Sequence, residues 1–177
     1  TLHSYPGIPH EDAGFASARA ANGHERILVN CAGTGNAKRT ASRGKDGSVM
    51  GFPLDGFERI IQINLIGTFR CIVAAAKGML TLDTLPGGER GVVVNTSSAS
   101  GLFGNPGQTN YGAAKSGIAT FTIVAAQELE RYGVRVNAIA PTAATRLLGT
   151  VLKDLPEVPA GQHDPLAPTQ VAPLVVW

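Results

Sequence analysis

Gly91-Val-Val-Val-Asn-Thr-Ser-Ser98 is a short β-branched run that ends in serines, and Tyr111-Gly-Ala-Ala-Lys115 follows a loop rich in glycine and small polar residues. The first segment predicts a strand and the second a helix. Side chains four apart on a helix share a face, so the Tyr111 phenol and the Lys115 ammonium point the same way. A cation beside a phenol favours the phenolate and draws an acid of ordinary pKa about 10 toward the range of a general acid/base. Ser98, thirteen positions before the tyrosine, could hold a substrate carbonyl while the tyrosine moves the proton. A tyrosine and lysine at this spacing are by themselves more often a solvated helix face. The strand, serine and Gly-rich loop in front of them give the pair its weight.

Outward from that unit, Arg26-Ile-Leu-Val-Asn30 and Val134-Arg-Val-Asn-Ala-Ile-Ala140 predict two further strands. The 26–30 and 91–95 runs lack clean alternation, as expected of parallel strands covered on both faces. Between the strands, Leu54, Phe57, Ile60, Ile61, Leu65 and Phe69 recur at helical spacing. They predict a helix over 53–80 that opens with Pro53 and Asp55. A second long helix is predicted over 109–131, closed by Gly133 as a C-cap, and an earlier one over 11–21. Strand–helix–strand–helix–strand is the order of a doubly wound α/β sheet with right-handed crossovers, here expected as a single domain over 1–177. Pro156, Pro159, Pro165, Pro168 and Pro173 make the tail a loop, and residues 146–173 are expected to form a substrate loop near the strand ends.

Composition narrows the function classes. A chain of 177 residues suffices for one core that buries roughly 70% of the unfolded surface. Hydrophobic residues at 44% and charged residues at 16% are a globular balance. A net charge of +2 from scattered basic residues argues against a nucleic-acid partner. Cys31 and Cys71 are the two cysteines, at a strand end and in a helix. They read as buried free thiols of a reducing, cytoplasmic compartment. The histidines at 3, 10, 24 and 163 lack metal-ligand spacing. Asn95-Thr96-Ser97 matches a glycosylation sequon but falls on a predicted buried strand. No apolar run approaches the roughly 18 residues of a membrane span, and no signal-peptide pattern opens the chain.

Each predicted strand ends in residues suited to a ligand. Asn30-Cys-Ala-Gly33 ends the first, and its small residues let backbone approach a cofactor closely. Ser97-Ser98 ends the second and Ala140-Pro141-Thr142 the third. Asn64 sits among Ile63, Leu65 and Ile66 inside the first long helix. Its amide must find partners or cost about 1–3 kcal/mol. A structural asparagine bonded to backbone and a catalytic asparagine holding a water are both open.

These segments together resemble the short-chain dehydrogenase/reductase family. The matching residues are Asn30-Cys-Ala-Gly33 (N-x-A-G), Asn64, Asn95-Thr-Ser-Ser98, Tyr111-x-x-x-Lys115 and Arg135-Val-Asn137 leading to Pro141, in the family's order from about 27 to 141. Leu28 to Gly33, Phe52-Pro53 and Ile63-Asn-Leu-Ile-Gly-Thr68 look most like enzymes acting on 3-hydroxyacyl thioesters or hydroxysteroids. The resemblance implies a Rossmann-type sheet and NAD or NADP as cofactor, with NAD slightly preferred. It implies Tyr111 as acid/base, Ser98 as hydrogen-bond donor to the reacting oxygen, and Lys115 as ligand of the nicotinamide ribose. Asn64 would keep a water in line with the lysine. Asn30, Ala32 and Gly33 would line the adenosine side, and Pro141, Thr142 and Thr145 the nicotinamide side. The substrate would be a small alcohol or ketone, in a dimer or tetramer built through helices 53–80 and 109–131.

Several family features are missing. The glycine-rich turn T-G-x-x-x-G-x-G does not occur, nor does the residue that selects NAD or NADP, and Thr142 stands where the family usually has glycine. The chain is therefore expected to be a partial sheet without its first strands and its last strand. A second reading follows from the missing turn, that of a non-catalytic binding or assembly module.

Overall fold

The computed structural model describes residues 10–144, 149, 158–159 and 161–176. Strands β1 (Ile27–Asn30), β4 (Gly91–Thr96) and β5 (Val134–Ile139) form a parallel sheet in the order β1-β4-β5. Val93 pairs with Leu28 on one side and Val136 on the other, so all three predicted strands lie in one sheet with their carboxyl ends together. Helix α1 spans His10–Asn22 and α5 spans Thr109–Leu129. Gly133 adopts the left-handed conformation (φ 72°) that ends the α5 segment and turns the chain into β5.

The helix predicted over 53–80 runs as α2 (Leu54–Ile60), a π-helical turn over Ile61–Ile66, and α3 (Gly67–Met79). Ile60, Asn64, Thr68, Ile72, Ala75 and Met79 are buried along it. Ile72, Ala75 and Met79 meet Val93, Val134 and Val136 in the core, against which Phe15, Leu28, Phe121 and Leu129 also pack. As a helix of 26 residues with an 18-residue window of mean hydropathy 1.4, this segment is long and apolar enough to cross a membrane. That corrects the expectation that no such segment exists. A core helix meets the same criterion, and here the apolar length serves one: its buried side faces the sheet.

Residues 41–51, for which no element was expected, form a hairpin of β2 (Ala41–Arg43) and β3 (Val49–Gly51), turned by Asp46-Gly47 with Gly47 at φ 85°. Asp46 accepts hydrogen bonds from the Ser48 backbone N–H and hydroxyl, which fixes that turn. Ala99–Phe103, read as loop, is a short helix α4 stopped by Gly104 at φ 74°. β1 is not covered on both faces: Ile27 and Val29 are exposed while Leu28 packs inward. For the same reason Cys31, expected to be buried, is exposed; Cys71, expected likewise, is half-buried. Of the Pro-rich tail, Pro168–Gln170 form a 3-10 turn and Ala172–Val176 a short helix α6. Within the expected substrate loop, residues 146–148, 150–157 and 160 lie outside the described residues.

Candidate active site

The carboxyl ends of β1 and β4 and the first turns of α5 converge on Lys115. Its side chain is 4% exposed, and Nζ donates to the Thr96 carbonyl at 2.7 Å. Burial of the ammonium pushes its pKa down from 10.5 to about 8, because the charged form gives up water. Nζ stands 5.7 Å from the centroid of the Tyr111 ring. That is within cation–π reach, so the two groups predicted to share a helix face do share it. The tyrosine is half-buried at the opening of the site.

Small residues bring the surrounding backbone close. A Cβ on Gly101 would fall 2.6–2.7 Å from the Lys115 carbonyl carbon and Cβ and from the Ser116 nitrogen, so α4 rests directly on the lysine's turn of α5. Ser97 fastens the same turn from β4, its hydroxyl donating to the Lys115 carbonyl at 2.8 Å. Ser98 is the N-cap of α4, where its hydroxyl oxygen accepts from the Ser100 N–H at 3.2 Å. Accepting there leaves its hydrogen free to be donated.

Asn64 is fully buried within the π turn. Its Nδ2 donates to the Thr34 carbonyl at 2.7 Å and its Oδ1 accepts from the Thr34 N–H at 2.9 Å. The side chain therefore grips the loop after β1 as another peptide would. Its own carbonyl accepts from the Thr68 hydroxyl at 2.6 Å. The wide π turn is the kind of local unwinding that redirects a side chain at functional sites. Gly33 lies over this cluster, with a Cβ there 3.2 Å from Asn64 Oδ1 and 3.7 Å from Lys115 Nζ.

Asn30, expected at the cofactor, spends its amide within the sheet: Nδ2 donates to Asn95 Oδ1 at 2.9 Å. Buried Asn95 donates onward to the Thr122 hydroxyl, which donates to the Ile118 carbonyl, so a polar chain ties two strand ends to α5. Ala32 is exposed in the following loop. Pro141 and Thr142 lie just beyond the carboxyl end of β5. Thr145 falls outside the described residues. Three residues that frame the site, Thr34, Asn36 and Asn110, were not expected from the sequence. Only Asn110, next to the tyrosine, carried a positional hint.

A parallel α/β sheet with this cluster at its carboxyl edge is a Rossmann-type protein. The chain belongs to the short chain dehydrogenase family, whose model matches residues 11–154. It is 38% identical over 142 residues to the 3-hydroxyacyl-CoA dehydrogenase type-2 of Bos taurus, covering 80% of this chain and 53% of that protein. It is 37% identical over 168 residues to a hydroxyacyl-CoA dehydrogenase of Mycobacterium tuberculosis, covering 92% and 52%. Among solved structures, a 3-hydroxyacyl-CoA dehydrogenase type-2 from Mycobacterium avium aligns with TM-score 0.69 at 37% identity, covering 81% of this chain and 55% of that one. The chain spans about half the length of the relatives it matches.

Proposed function

We propose that this chain carries the proton-transfer half of an NAD(P)-dependent oxidoreductase that interconverts a secondary alcohol and a ketone, with a 3-hydroxyacyl thioester as the favoured substrate class. The supporting observation is the buried Lys115 ammonium held against the Tyr111 ring at the carboxyl edge of the sheet. The names of the relatives, hydroxyacyl-CoA dehydrogenases and a 3-oxoacyl-[acyl-carrier-protein] reductase of Synechocystis, favour the thioester over a steroid.

The cluster fits a nicotinamide cofactor on its donor chemistry. Lys115 gives one hydrogen to Thr96, which leaves two N–H donors suited to the hydroxyls of a ribose. Gly33 offers a surface without a side chain beside it. When bound, the cofactor would accept hydride from the carbinol carbon or return it. The protein's own part is the proton: Tyr111 takes it from the substrate hydroxyl in oxidation and returns it to the carbonyl oxygen in reduction. Ser98 donates to the same oxygen from the cap of α4. Asn64 supports the relay by fixing the loop beside Lys115. Pro141, Thr142 and Thr145 would bound the nicotinamide side, and residues 146–173 would contact the substrate.

A homo-oligomer through the two long helices belongs to the same proposal. Phe69 and Val73 on α3 and Ile123 and Val124 on α5 are exposed apolar side chains, and Phe69 meets Phe121 in a tilted ring contact between the helices. Light scattering of the purified protein measures the assembly. The chemistry is tested by Tyr111→Phe, followed by nicotinamide absorbance with a 3-hydroxyacyl-CoA and with a steroid alcohol. Turnover is expected to vanish while cofactor affinity stays largely intact. Wild-type turnover in that variant overturns the assignment.

A further inference from the structure

Helix α5 begins with an unusual division of labour. Gln108 stands at its N-cap but makes no side-chain cap bond to the helix; its Oε1 instead accepts from Asn105 Nδ2 at 3.1 Å. The first N–H groups of a helix have no partner of their own within it. At Tyr111 that donor is taken by Asn110 Oδ1, at 2.8 Å. The rest of the Asn110 amide leaves the helix: Nδ2 donates to Asn36 Oδ1 at 2.7 Å, in the loop after β1, and to the Gly56 carbonyl at 3.1 Å, in the first turn of α2. Asn36 Nδ2 reaches the same Gly56 carbonyl at 3.4 Å.

Asn110 is fully buried, and its partners fix which way its amide points. The Tyr111 N–H requires an oxygen and the Gly56 carbonyl requires an N–H, so a flipped amide loses both bonds. Gly56 has little room for a side chain, since a Cβ there would lie 3.2 Å from Asn36 Nδ2 and 3.3 Å from a Phe52 ring carbon. Asn64 holds the same loop two residues earlier, at Thr34.

We propose that Asn110 is a positioning residue for Tyr111: its carboxamide ties the main chain of the acid/base residue to Asn36 and Gly56, so that the loop after β1 and the start of α2 set where the phenol stands. The proposal rests on the acid/base reading of Tyr111. Misplacing a reacting group by about 1 Å can cost on the order of 100-fold in rate, so a tether of this kind reads out in turnover.

The test uses the protein that carries this chain, saturated with nicotinamide cofactor and assayed with a 3-oxoacyl-CoA. Asn110→Ala is expected to lower kcat by about 10- to 100-fold, with KM and cofactor affinity within about twofold of wild type. Asn110→Ser keeps an oxygen that can cap an N–H but loses both donors to the loop. It is expected to recover thermal stability and not kcat. Asn36→Ala, 74 residues from its partner amide, is expected to reproduce part of the kcat loss, and adding it to Asn110→Ser is expected to cost little more. Wild-type kcat in Asn36→Ala, or full recovery of kcat in Asn110→Ser, overturns the tether, and both remain measurable if Asn110→Ala does not fold. Tyr111→Phe, assayed beside them, separates the two ideas. If it stays active, the reading of Tyr111 falls; if it is dead while the asparagine variants turn over normally, the tether alone falls.

Discussion

Lys115 makes the stability of this protein depend on alkaline pH in a direction that can be worked out. In the unfolded chain a lysine keeps its proton to about 10.5; burial in the fold brings Lys115 down to about 8. Between those values the unfolded state binds more protons, so stability rises with pH, and below about 8 the fold carries the whole cost of a buried charge. That fall is worth up to about 3 kcal/mol. From pH 7 to pH 9.5 the linkage predicts a gain of about 2 kcal/mol from this one group. Lys115→Met removes the titration and leaves the other groups in place, so the difference between wild type and variant isolates it. The assay is urea unfolding of both proteins, without cofactor, at pH 7, 8, 9 and 9.5. Wild type should gain on the variant steadily across the series. At pH 7 the two should lie close together, because the variant escapes desolvation but leaves the Thr96 carbonyl without its donor. A difference that stays flat with pH would mean the ammonium is well solvated, and the electrostatic account of this site would fall with it. Catalysis should run the other way: turnover that depends on the charged lysine is lost as pH rises through about 8.

Gly101→Ala places a methyl 2.6–2.7 Å from main-chain atoms of Lys115 and Ser116, which cannot swing aside as a side-chain tip would. A loss of about 1–3 kcal/mol is expected from the overpacking, with turnover falling alongside; an unchanged melting temperature contradicts the close approach of α4. Asn64→Leu keeps the branching but not the polar atoms, and strands the Thr34 N–H and carbonyl at a cost of about 1–3 kcal/mol. Faster amide exchange confined to the loop after β1 is the signature to look for by hydrogen exchange.

Much of the scaffold was legible because its strands and helices differ in period. Val92, Val93 and Val94 announce a strand, and Gly133 announces the end of α5 because it is the residue that takes a positive φ there without strain. The hairpin had a signal too, in Asp46-Gly47, but its strands, Ala41-Ser-Arg43 and Val49-Met-Gly51, are three residues each, too short for alternation to show. Helix α4, Ala99-Ser-Gly-Leu-Phe103, opens with small residues that also make loops. Its helical form comes from the Ser98 cap and from contact with α5, and neither is visible in the local sequence. The π turn carries no pattern of its own: what bends it is the bond between Asn64 and a backbone segment thirty residues away.

Asn64 spends one amide hydrogen and one oxygen lone pair on Thr34 in the loop after β1, which leaves one donor and one acceptor position of the side chain beyond that loop. The same loop is held a second time by Asn110, whose other bond ends on the tyrosine. Two buried asparagines on different helices thus meet one short segment after β1, and between them they span the lysine side and the tyrosine side of the site. A loop of small residues such as Ala32, Gly33 and Gly35 has little packing of its own to hold it. Backbone-directed amides supply that order at the cost of little bulk.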